Sequence, residues 1–161
     1  MSPFSPHTVL SDKLSLFPVD EEMAHEIGHA LAGMDPWEHY EYPAYKLVDF
    51  LKWDDPSTRQ YAIVYDDELA GTVALRYPWL QGPYLQLLGL FSDYQSKGIG
   101  TQILNWLENE TRGSSRNLWV VASEMNTRAT AFYEKHGYKR IAMLDDLVKE
   151  GMNEILFRKR L

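Results

Sequence analysis

Residues 85–104 read LQLLGLFSDYQSKGIGTQIL and contain the strand, turn and helix around which the rest of the chain is arranged. The nearly continuous apolar run from Tyr84 to Phe91 predicts a strand that is buried on both faces. A polar turn follows, and Ile99, Ile103 and Leu107 then recur at helical spacing. A strand that enters a helix through a glycine-bearing turn leaves free backbone N–H groups at the helix start, where they can bind an anion.

The glycines at positions 98 and 100 indicate which anion this turn could bind. A side chain at either position would keep a phosphate away from the backbone amides, so we predict a pyrophosphate cradle at residues 95–101. The P-loop pattern G-x-x-x-x-G-K-[ST] is absent, and the dinucleotide pattern G-x-G-x-x-G fails because position 103 is isoleucine. The alternative is a plain strand-to-helix connection in which the glycines serve only the turn.

The amino-acid composition limits the classes of protein to which this chain can belong. Of the 161 residues, 45% are hydrophobic and 24% are charged, as in ordinary globular domains. No cysteine is present, which removes disulfides, a thiolate nucleophile and a cysteine zinc site. The net charge of −7 argues against nucleic-acid binding and mildly favours a cationic small-molecule partner. No apolar run reaches the ~18 residues of a membrane span, and no signal peptide is recognisable, so we predict a cytoplasmic protein without a membrane partner.

Hydrophobic periodicity predicts a single α+β domain over residues 1–161, with residues 1–8 as a loose N-terminal arm. Helices are predicted at 20–34, 43–53, 98–112 and 127–136, and strands at 13–17, 59–65, 69–77, 84–91, 117–122, 139–143 and 153–160. Residues 78–83 are predicted to form a loop. The strands begin antiparallel and become parallel through the β-α-β unit at 84–122.

A second motif follows the strand at 117–122. Residues 126–138 read NTRATAFYEKHGY, the pattern N-x-x-A-x-x-F-Y-x-x-x-G-[FY], which by itself is typical of a capped amphipathic helix. Together with Gln95-x-x-Gly98-x-Gly100, it resembles the GCN5-related N-acetyltransferase (GNAT) superfamily, whose members use acetyl-CoA. The resemblance implies a seven-stranded mixed sheet in which strands 84–91 and 117–122 splay apart around the cofactor. It also implies that the last strand inserts between 117–122 and 139–143.

The resemblance further implies a function and a set of site residues. Members transfer the acetyl group of acetyl-CoA to a primary amine by direct attack in a ternary complex, and no metal is implied. Backbone at Leu88 and Leu90 would pair with the pantetheine arm and polarise the thioester carbonyl. Tyr133 would protonate the CoA thiolate as general acid. The implied cofactor-binding residues are Leu88, Leu90, Gln95, Ser96, Lys97, Gly98, Ile99, Gly100, Thr101, Asn126 and Tyr133.

The general base and the amine acceptor are harder to place. Family members often carry a glutamate on the central strand or the next one, where this chain has Tyr84, Gln86 and Val121. We take Glu124 as the candidate base, with Asp93 or a water relay as alternatives. The acceptor, a small-molecule or peptide amine, is expected against aromatic walls that would suit an apolar amine or a cation. These walls are Trp37, His39, Tyr40, Trp79 and Tyr84.

Two other functions stay open. His25-Glu26-Ile27-Gly28-His29 matches the H-E-x-x-H pattern of zinc hydrolases, with Asp35 as a potential third ligand. Against a metal site, the apolar stripe of that helix leaves His25, Glu26 and His29 on its flanks and polar face. The other alternative is an acyl-CoA-binding sensor that has lost turnover. A homodimer is also conceivable, because domains of this kind often pair.

Overall fold

The structure, a computed structural model, describes residues 2–161 and contains one eight-stranded mixed sheet with four α-helices. The strands are β1 (Thr8–Val9), β2 (Leu14–Pro18), β3 (Thr58–Tyr65), β4 (Glu68–Trp79), β5 (Gly82–Leu90), β6 (Asn117–Ser123), β7 (Lys139–Asp145) and β8 (Asn153–Arg160). The helices are α1 (Glu21–Ala32), α2 (Ala44–Lys52), α3 (Ile99–Thr111) and α4 (Thr127–Lys135), and a 3₁₀ turn covers Ser92–Tyr94.

The strand order β1-β2-β3-β4-β5-β6-β8-β7 confirms the predicted mixed sheet. β5 and β6 run parallel, and the other neighbouring strands run antiparallel. β8 lies between β6 and β7, as predicted for the last strand. The sheet has eight strands rather than seven because residues 8–9 form the short strand β1, in which Thr8 is opposite Leu16.

The parallel strands β5 and β6 separate soon after they meet. Their pairing is confined to two positions, Tyr84 opposite Trp119 and Leu85 opposite Val120. At this point β5 carries a bulge at Gln86, where its register against β4 shifts by one residue. A bulge bends its strand and increases the local twist. The rest of β5 therefore diverges from β6, and a V-shaped gap opens in the middle of the sheet.

Helices cover both faces of the sheet. Adjacent residues of β3, Ala62 and Ile63, belong to different hydrophobic clusters because successive side chains of a strand point to opposite faces. The cluster of Ala62 includes residues of α1 and α2, and the cluster of Ile63 includes residues of α3 and α4. No helix among residues 2–161 has the length and apolar character of a membrane span.

The predicted loose arm at residues 1–8 does not hold at Phe4 and Ser5, which contact the core, or at Thr8, which pairs in β1. Phe4 is 2% exposed, and its ring centroid lies 5.5 Å from that of Trp106 on α3. The Tyr61 hydroxyl donates to the carbonyl of Ser5 at 2.6 Å, and Arg59 Nε donates to the carbonyl of Phe4 at 3.2 Å. A buried aromatic ring contributes enough apolar area to hold this short segment against the core.

The predicted loop at 78–83 is a tight hairpin turn between β4 and β5. Leu80 and Gln81 both have positive φ, 45° and 65°, as in the two-residue turns that match the twist of paired strands. β4 therefore extends to Trp79, and β5 begins at Gly82. This extension packs the Trp79 ring against Tyr84, with 4.7 Å between the ring centroids.

Candidate active site

A cleft of about 980 Å³ opens where β5 and β6 separate. Its lining comes from segments that are distant in sequence: the α1–α2 connection, β5, the start of α3, β6, α4, the β7–β8 loop and the start of β8. Ligand pockets usually measure ~300–1,000 Å³. A cleft at the upper end of that range has room for two substrates.

One end of the cleft is formed by the start of α3. Gly98 precedes the helix in the left-handed conformation, with φ at 79°, and its carbonyl accepts the first helical hydrogen bond from Gln102 N at 3.1 Å. The amides of residues 98–101 consequently have no partner within the helix. Apart from Gly98 and its two chain neighbours, no atom among residues 2–161 lies within 4 Å of a Cβ built on Gly98, so this side of the turn is open.

Gly100 has a structural role besides the predicted one. It lines the cleft, but a Cβ on it would also lie 3.0 Å from Cζ of Phe132. Glycine at this position therefore lets α3 pack closely against α4, which carries Phe132. The absence of a side chain at Gly98 keeps one side of the turn open, and the absence of a side chain at Gly100 allows α3 and α4 to pack closely.

An arginine that sequence reasoning missed lies beside the cradle. Arg128, in the first turn of α4, donates from Nη1 to Gln95 Oε1 at 2.6 Å and from Nη2 to Ser96 Oγ at 2.9 Å. Gln95 Nε2 in turn donates to the Leu90 carbonyl at 3.0 Å. These bonds connect β5, the turn and α4, and they hold a guanidinium near the free amides. The sequence could have indicated this arginine, because Arg128 lies inside the second motif, two residues after Asn126.

Most of the predicted cofactor residues line the cleft, namely Leu88, Leu90, Gln95, Ser96, Gly98, Ile99, Gly100, Thr101, Asn126 and Tyr133. Lys97 is exposed and lies outside the lining. Asn126 Oδ1 accepts from Ala129 N at 3.1 Å and so caps α4, which leaves its amide Nδ2 available as a donor.

The backbone of β5 beyond the bulge presents hydrogen-bonding groups to the gap. Phe91 N donates to the Ala70 carbonyl at 2.8 Å on the β4 side, so the N–H and C=O of Leu90 point to the opposite side. The groups of Leu88, two residues earlier, share this direction. β6 does not pair with this part of β5. Such an unpaired strand edge can bind an extended ligand as an added strand.

Tyr133 lies on α4 and borders the cleft with only 6% of its surface exposed. Burial raises the pKa of Tyr133 well above its ordinary value, and the nearby Tyr84 raises it further. The hydroxyl therefore stays protonated at neutral pH and can act as a proton donor.

The cleft also contains a buried carboxylate that sequence reasoning missed. Glu154, at the start of β8, lines the cleft and is 5% exposed. The Tyr40 hydroxyl donates to Glu154 Oε2 at 2.5 Å, across 114 residues of sequence. Burial raises the pKa of Glu154, and the hydrogen bond from Tyr40 partly opposes that rise. A carboxylate with a raised pKa in a cleft is a common arrangement for a general base.

Tyr84 lies within electrostatic range of both Glu154 and Tyr133. Burial raises the pKa of Tyr84, and the Glu154 carboxylate raises it further, while Arg76 lowers it. Tyr84 in turn raises the pKa of Tyr133. Tyr84, Glu154 and Tyr133 all line the cleft, so the charge state of each bears on its neighbours.

Besides Lys97, three predicted site residues lie outside the cleft lining. Glu124 is exposed, and its Oε2 accepts from Asn153 Nδ2 at 3.1 Å. His39 is also exposed, and Trp79 packs behind Tyr84. The other predicted walls, Trp37, Tyr40 and Tyr84, do line the cleft.

The H-E-x-x-H segment lies on the solvent side of α1, as its apolar stripe predicts. His25, Glu26 and His29 are all exposed, and the two imidazole centroids are 6.3 Å apart. Asp35 lines the cleft instead of joining them. Within residues 2–161, no group of three or more His, Cys, Asp or Glu side chains is arranged to hold a metal ion. The geometry therefore does not support the hydrolase interpretation.

Comparison with known proteins identifies the family of this cleft. The model of the Acetyltransferase (GNAT) family matches residues 22–138. The chain belongs to the GNAT acetyltransferase family. This GNAT protein is accordingly an acyl-CoA-dependent N-acetyltransferase, with acetyl-CoA as its acetyl donor. The matched range contains both sequence motifs and the α1–α2 connection.

Individual proteins are similar to this GNAT protein in sequence or in structure. The uncharacterized protein YdhI of Bacillus subtilis (strain 168) is 25% identical over 124 residues, which cover 69% of this chain and 78% of YdhI. The Salmonella typhimurium acetyl transferase that modifies the N-terminal serine of ribosomal protein L7/L12 has a TM-score of 0.78 at 15% identity, over 96% of this chain and 99% of that chain. MccE, the microcin C7 self-immunity acetyltransferase in complex with acetyl-CoA and AMP, has a TM-score of 0.75 at 16% identity, over 99% of both chains.

Proposed function

We propose that this GNAT enzyme acetylates a primary amine by direct attack in a ternary complex, with Glu154 as general base and Tyr133 as general acid. One observation carries the proposal. The buried Glu154 carboxylate borders the same cleft as the open start of α3 and the unpaired edge of β5. The acceptor site and the donor site are thereby continuous.

The residues of the cleft fit acetyl-CoA, which supplies an acetyl group activated as a thioester. The amides of residues 98–101 and the Arg128 guanidinium suit its pyrophosphate, since both are donors to phosphate oxygens. The backbone of Leu88 and Leu90 suits its extended pantetheine arm. Asn126 offers a further amide donor beside that arm.

The reaction requires movement of two protons. An alkylammonium ion has a pKa near ~10.4, so a proton must leave the amine before its nitrogen can attack. In the proposal Glu154, held by Tyr40, accepts that proton. The N–H of Leu90 stabilises the negative charge that develops on the carbonyl oxygen. Tyr133 gives a proton to the sulfur as the carbon–sulfur bond breaks, so no charged thiolate is released.

An experiment with two neighbouring glutamates tests the base. Glu154→Gln keeps an acceptor for Tyr40 but cannot take a proton, and we expect kcat/KM to fall by about 10²–10³-fold, as for removal of a general base. Glu124→Gln is the matched control, because Glu124 is exposed and outside the lining. The measurement is release of the CoA thiol over a panel of primary amines, with CoA affinity determined in parallel. Unchanged turnover in Glu154→Gln, or a loss of CoA affinity equal to the loss of turnover, would refute the assignment.

The acyl-CoA-binding sensor is the less favoured alternative, because it leaves a buried carboxylate in the acceptor half of the cleft without a role. A sensor would bind CoA and release no thiol with any amine. The homodimer, the cytoplasmic location and the single-domain organisation of residues 1–161 stay predictions.

A further inference from the structure

The two ends of the cleft carry opposite charges. Two exposed residues of the α1–α2 connection, Asp35 and Glu38, line the cleft with the buried Glu154, and these three residues define its acceptor end. The cationic side chains of the described lining, Arg128 and Lys135, both belong to α4, which contacts the turn before α3 through Arg128 and the start of α3 through His136, next to Lys135. An acceptor with a negatively charged group would therefore meet carboxylates and no lining cation.

The three carboxylates of the acceptor end have no cationic partner among residues 2–161. The lysines nearest to Glu154 in sequence pair with other side chains: Lys149 with Glu41 at 3.6 Å, and Lys159 with Glu108. Charged groups that line a cleft and lack an internal counter-ion can be paired by a ligand of the opposite sign.

A second and independent feature at the point of strand separation is an unpaired hydrogen-bond acceptor. Gln86 Oε1 is buried and has no hydrogen-bond partner among the described residues. Gln86 is the bulged residue of β5, and it lines the cleft. Buried polar atoms without partners are rare in native proteins. An ammonium group offers three N–H donors, so a ligand nitrogen that enters at this point can supply the donor that Gln86 Oε1 lacks.

The geometry of the α1–α2 connection places its two carboxylates on one side. Glu38 N donates to the Met34 carbonyl at 2.8 Å in a helical turn, and residues three apart in such a turn face the same way. Asp35 and Glu38 have this spacing. The same segment carries Tyr40, which holds Glu154. One segment therefore positions the base and presents two further carboxylates to the acceptor.

Aromatic rings line the cleft alongside these carboxylates. The rings of Trp37, Tyr40, Tyr42 and Tyr84 all belong to the lining. Such rings bind methylene groups by apolar contact and attract cations over their faces. A chain of a few methylene groups with a charged nitrogen at each end matches this distribution of rings and carboxylates.

We propose that the acceptor is an aliphatic di- or polyamine. One nitrogen is held by Gln86 and Glu154 and reacts, while a second nitrogen stays protonated and binds Asp35 and Glu38. This inference rests on the proposed function, because it names the class of amine that enters that reaction. The net charge of −7 on the chain favours the approach of such a cation.

The test compares two amines that have the same carbon chain, 1,4-diaminobutane and n-butylamine, by thiol release at saturating acetyl-CoA. We expect the wild type to show a kcat/KM about tenfold or more higher for the diamine. In the double variant Asp35→Asn/Glu38→Gln, kcat/KM should fall about tenfold for the diamine and no more than about twofold for the monoamine. The double variant Glu22→Gln/Glu26→Gln is the matched control, since it removes two exposed carboxylates of α1 outside the lining.

Several outcomes would overturn the inference. These are equal kcat/KM for the two amines, an equal loss for both amines in Asp35→Asn/Glu38→Gln, and faster turnover of 6-aminohexanoate than of the diamine. If no amine releases thiol, the proposed function fails, and calorimetric titration of 1,4-diaminobutane into the CoA-bound protein decides the inference alone. Binding that the double variant weakens about tenfold supports it. An absence of binding refutes it.

Discussion

The cofactor end and the acceptor end of the cleft are built in different ways. The cofactor end uses one continuous stretch, residues 84–101, together with α4, and its groups are backbone amides and a guanidinium. The acceptor end joins three distant segments by side-chain contacts, such as Tyr40 with Glu154 across 114 residues. Backbone recognition of a phosphate leaves a local sequence motif, whereas side-chain recognition of an amine depends on tertiary structure.

The largest expected effect is a loss of CoA affinity caused by a substitution at one glycine of the cofactor end. Gly98→Glu places a carboxylate where the amides of residues 98–101 would bind a phosphate, and we expect CoA affinity to fall about 100-fold or more, which is about 2.7 kcal/mol. Isothermal titration measures it. Gly113→Glu is the control, because Gly113 also has positive φ and open space around a built Cβ, but it lies beyond the end of α3. Wild-type affinity in Gly98→Glu would remove the cradle from the proposal.

A chemical change at the junction of the two ends should affect turnover more than binding. Tyr133→Phe removes the proton donor, and we expect kcat to fall about 10²-fold with the KM for acetyl-CoA nearly unchanged. Tyr138→Phe is the control, since that ring is also buried, 5.7 Å from the ring of Tyr133, but lies outside the lining. An equal kcat in Tyr133→Phe and wild type would exclude Tyr133 as the general acid.

A smaller change at the cofactor end distinguishes the guanidinium from the amides. Arg128→Gln should weaken CoA binding about 5-fold, because one charge-assisted contact at an exposed site is lost while the backbone cradle remains. Arg140→Gln, an exposed arginine of β7 that pairs with Glu134, serves as the control and should bind CoA like the wild type. If Arg128→Gln binds as tightly as this control, the guanidinium does not contact the phosphates.

The smallest expected effect concerns stability at the acceptor end. Burial raises the pKa of Glu154 in the folded protein, so the folded state binds the proton more tightly than the unfolded state. The ionised Glu154 carboxylate therefore destabilises the folded state. This effect is absent at low pH, where Glu154 is protonated in both states, and it appears as the pH rises through the folded-state pKa. Glu154→Gln should raise the Tm by a few degrees at pH 8, and this gain should shrink as the pH falls toward the ordinary value of 4.5. Thermal unfolding that shows a lower Tm at pH 8 would contradict this expectation.

Much of the fold could be predicted from the sequence because periodicity is a local signal. The apolar run of β5 and the helical spacing of α3 are visible without knowledge of their neighbours. The loose arm predicted at residues 1–8 is wrong at Phe4, because the burial of that ring depends on Trp106 and Tyr77, which are distant in sequence. The hairpin at Leu80 and Gln81 was missed because neither residue is a glycine, the usual marker of positive φ.

The residues of the candidate site also fall into two groups: those with a local sequence signal and those that only the tertiary structure places in the cleft. The predicted cofactor residues carry motif spacing, and most of them line the cleft. Glu154 carries no local signal, since its position opposite Ser123 is set by the register of β6 against β8. The predicted insertion of the last strand beside 117–122 could have directed attention to a carboxylate at the start of that strand. Gln86 was visible as a polar residue in an apolar run, but only the register shows that it forms a bulge.

The two-residue pairing of β5 and β6 gives the sheet a third edge, in its interior. Outer edges are open to pairing with any exposed strand of another chain. The inner edge is recessed in a cleft whose walls come from the α1–α2 connection and α4. A slender extended molecule reaches it, whereas a second sheet with its own covering helices does not. The width of the cleft therefore limits which molecules can pair with this edge, whatever the chemistry of the side chains around it.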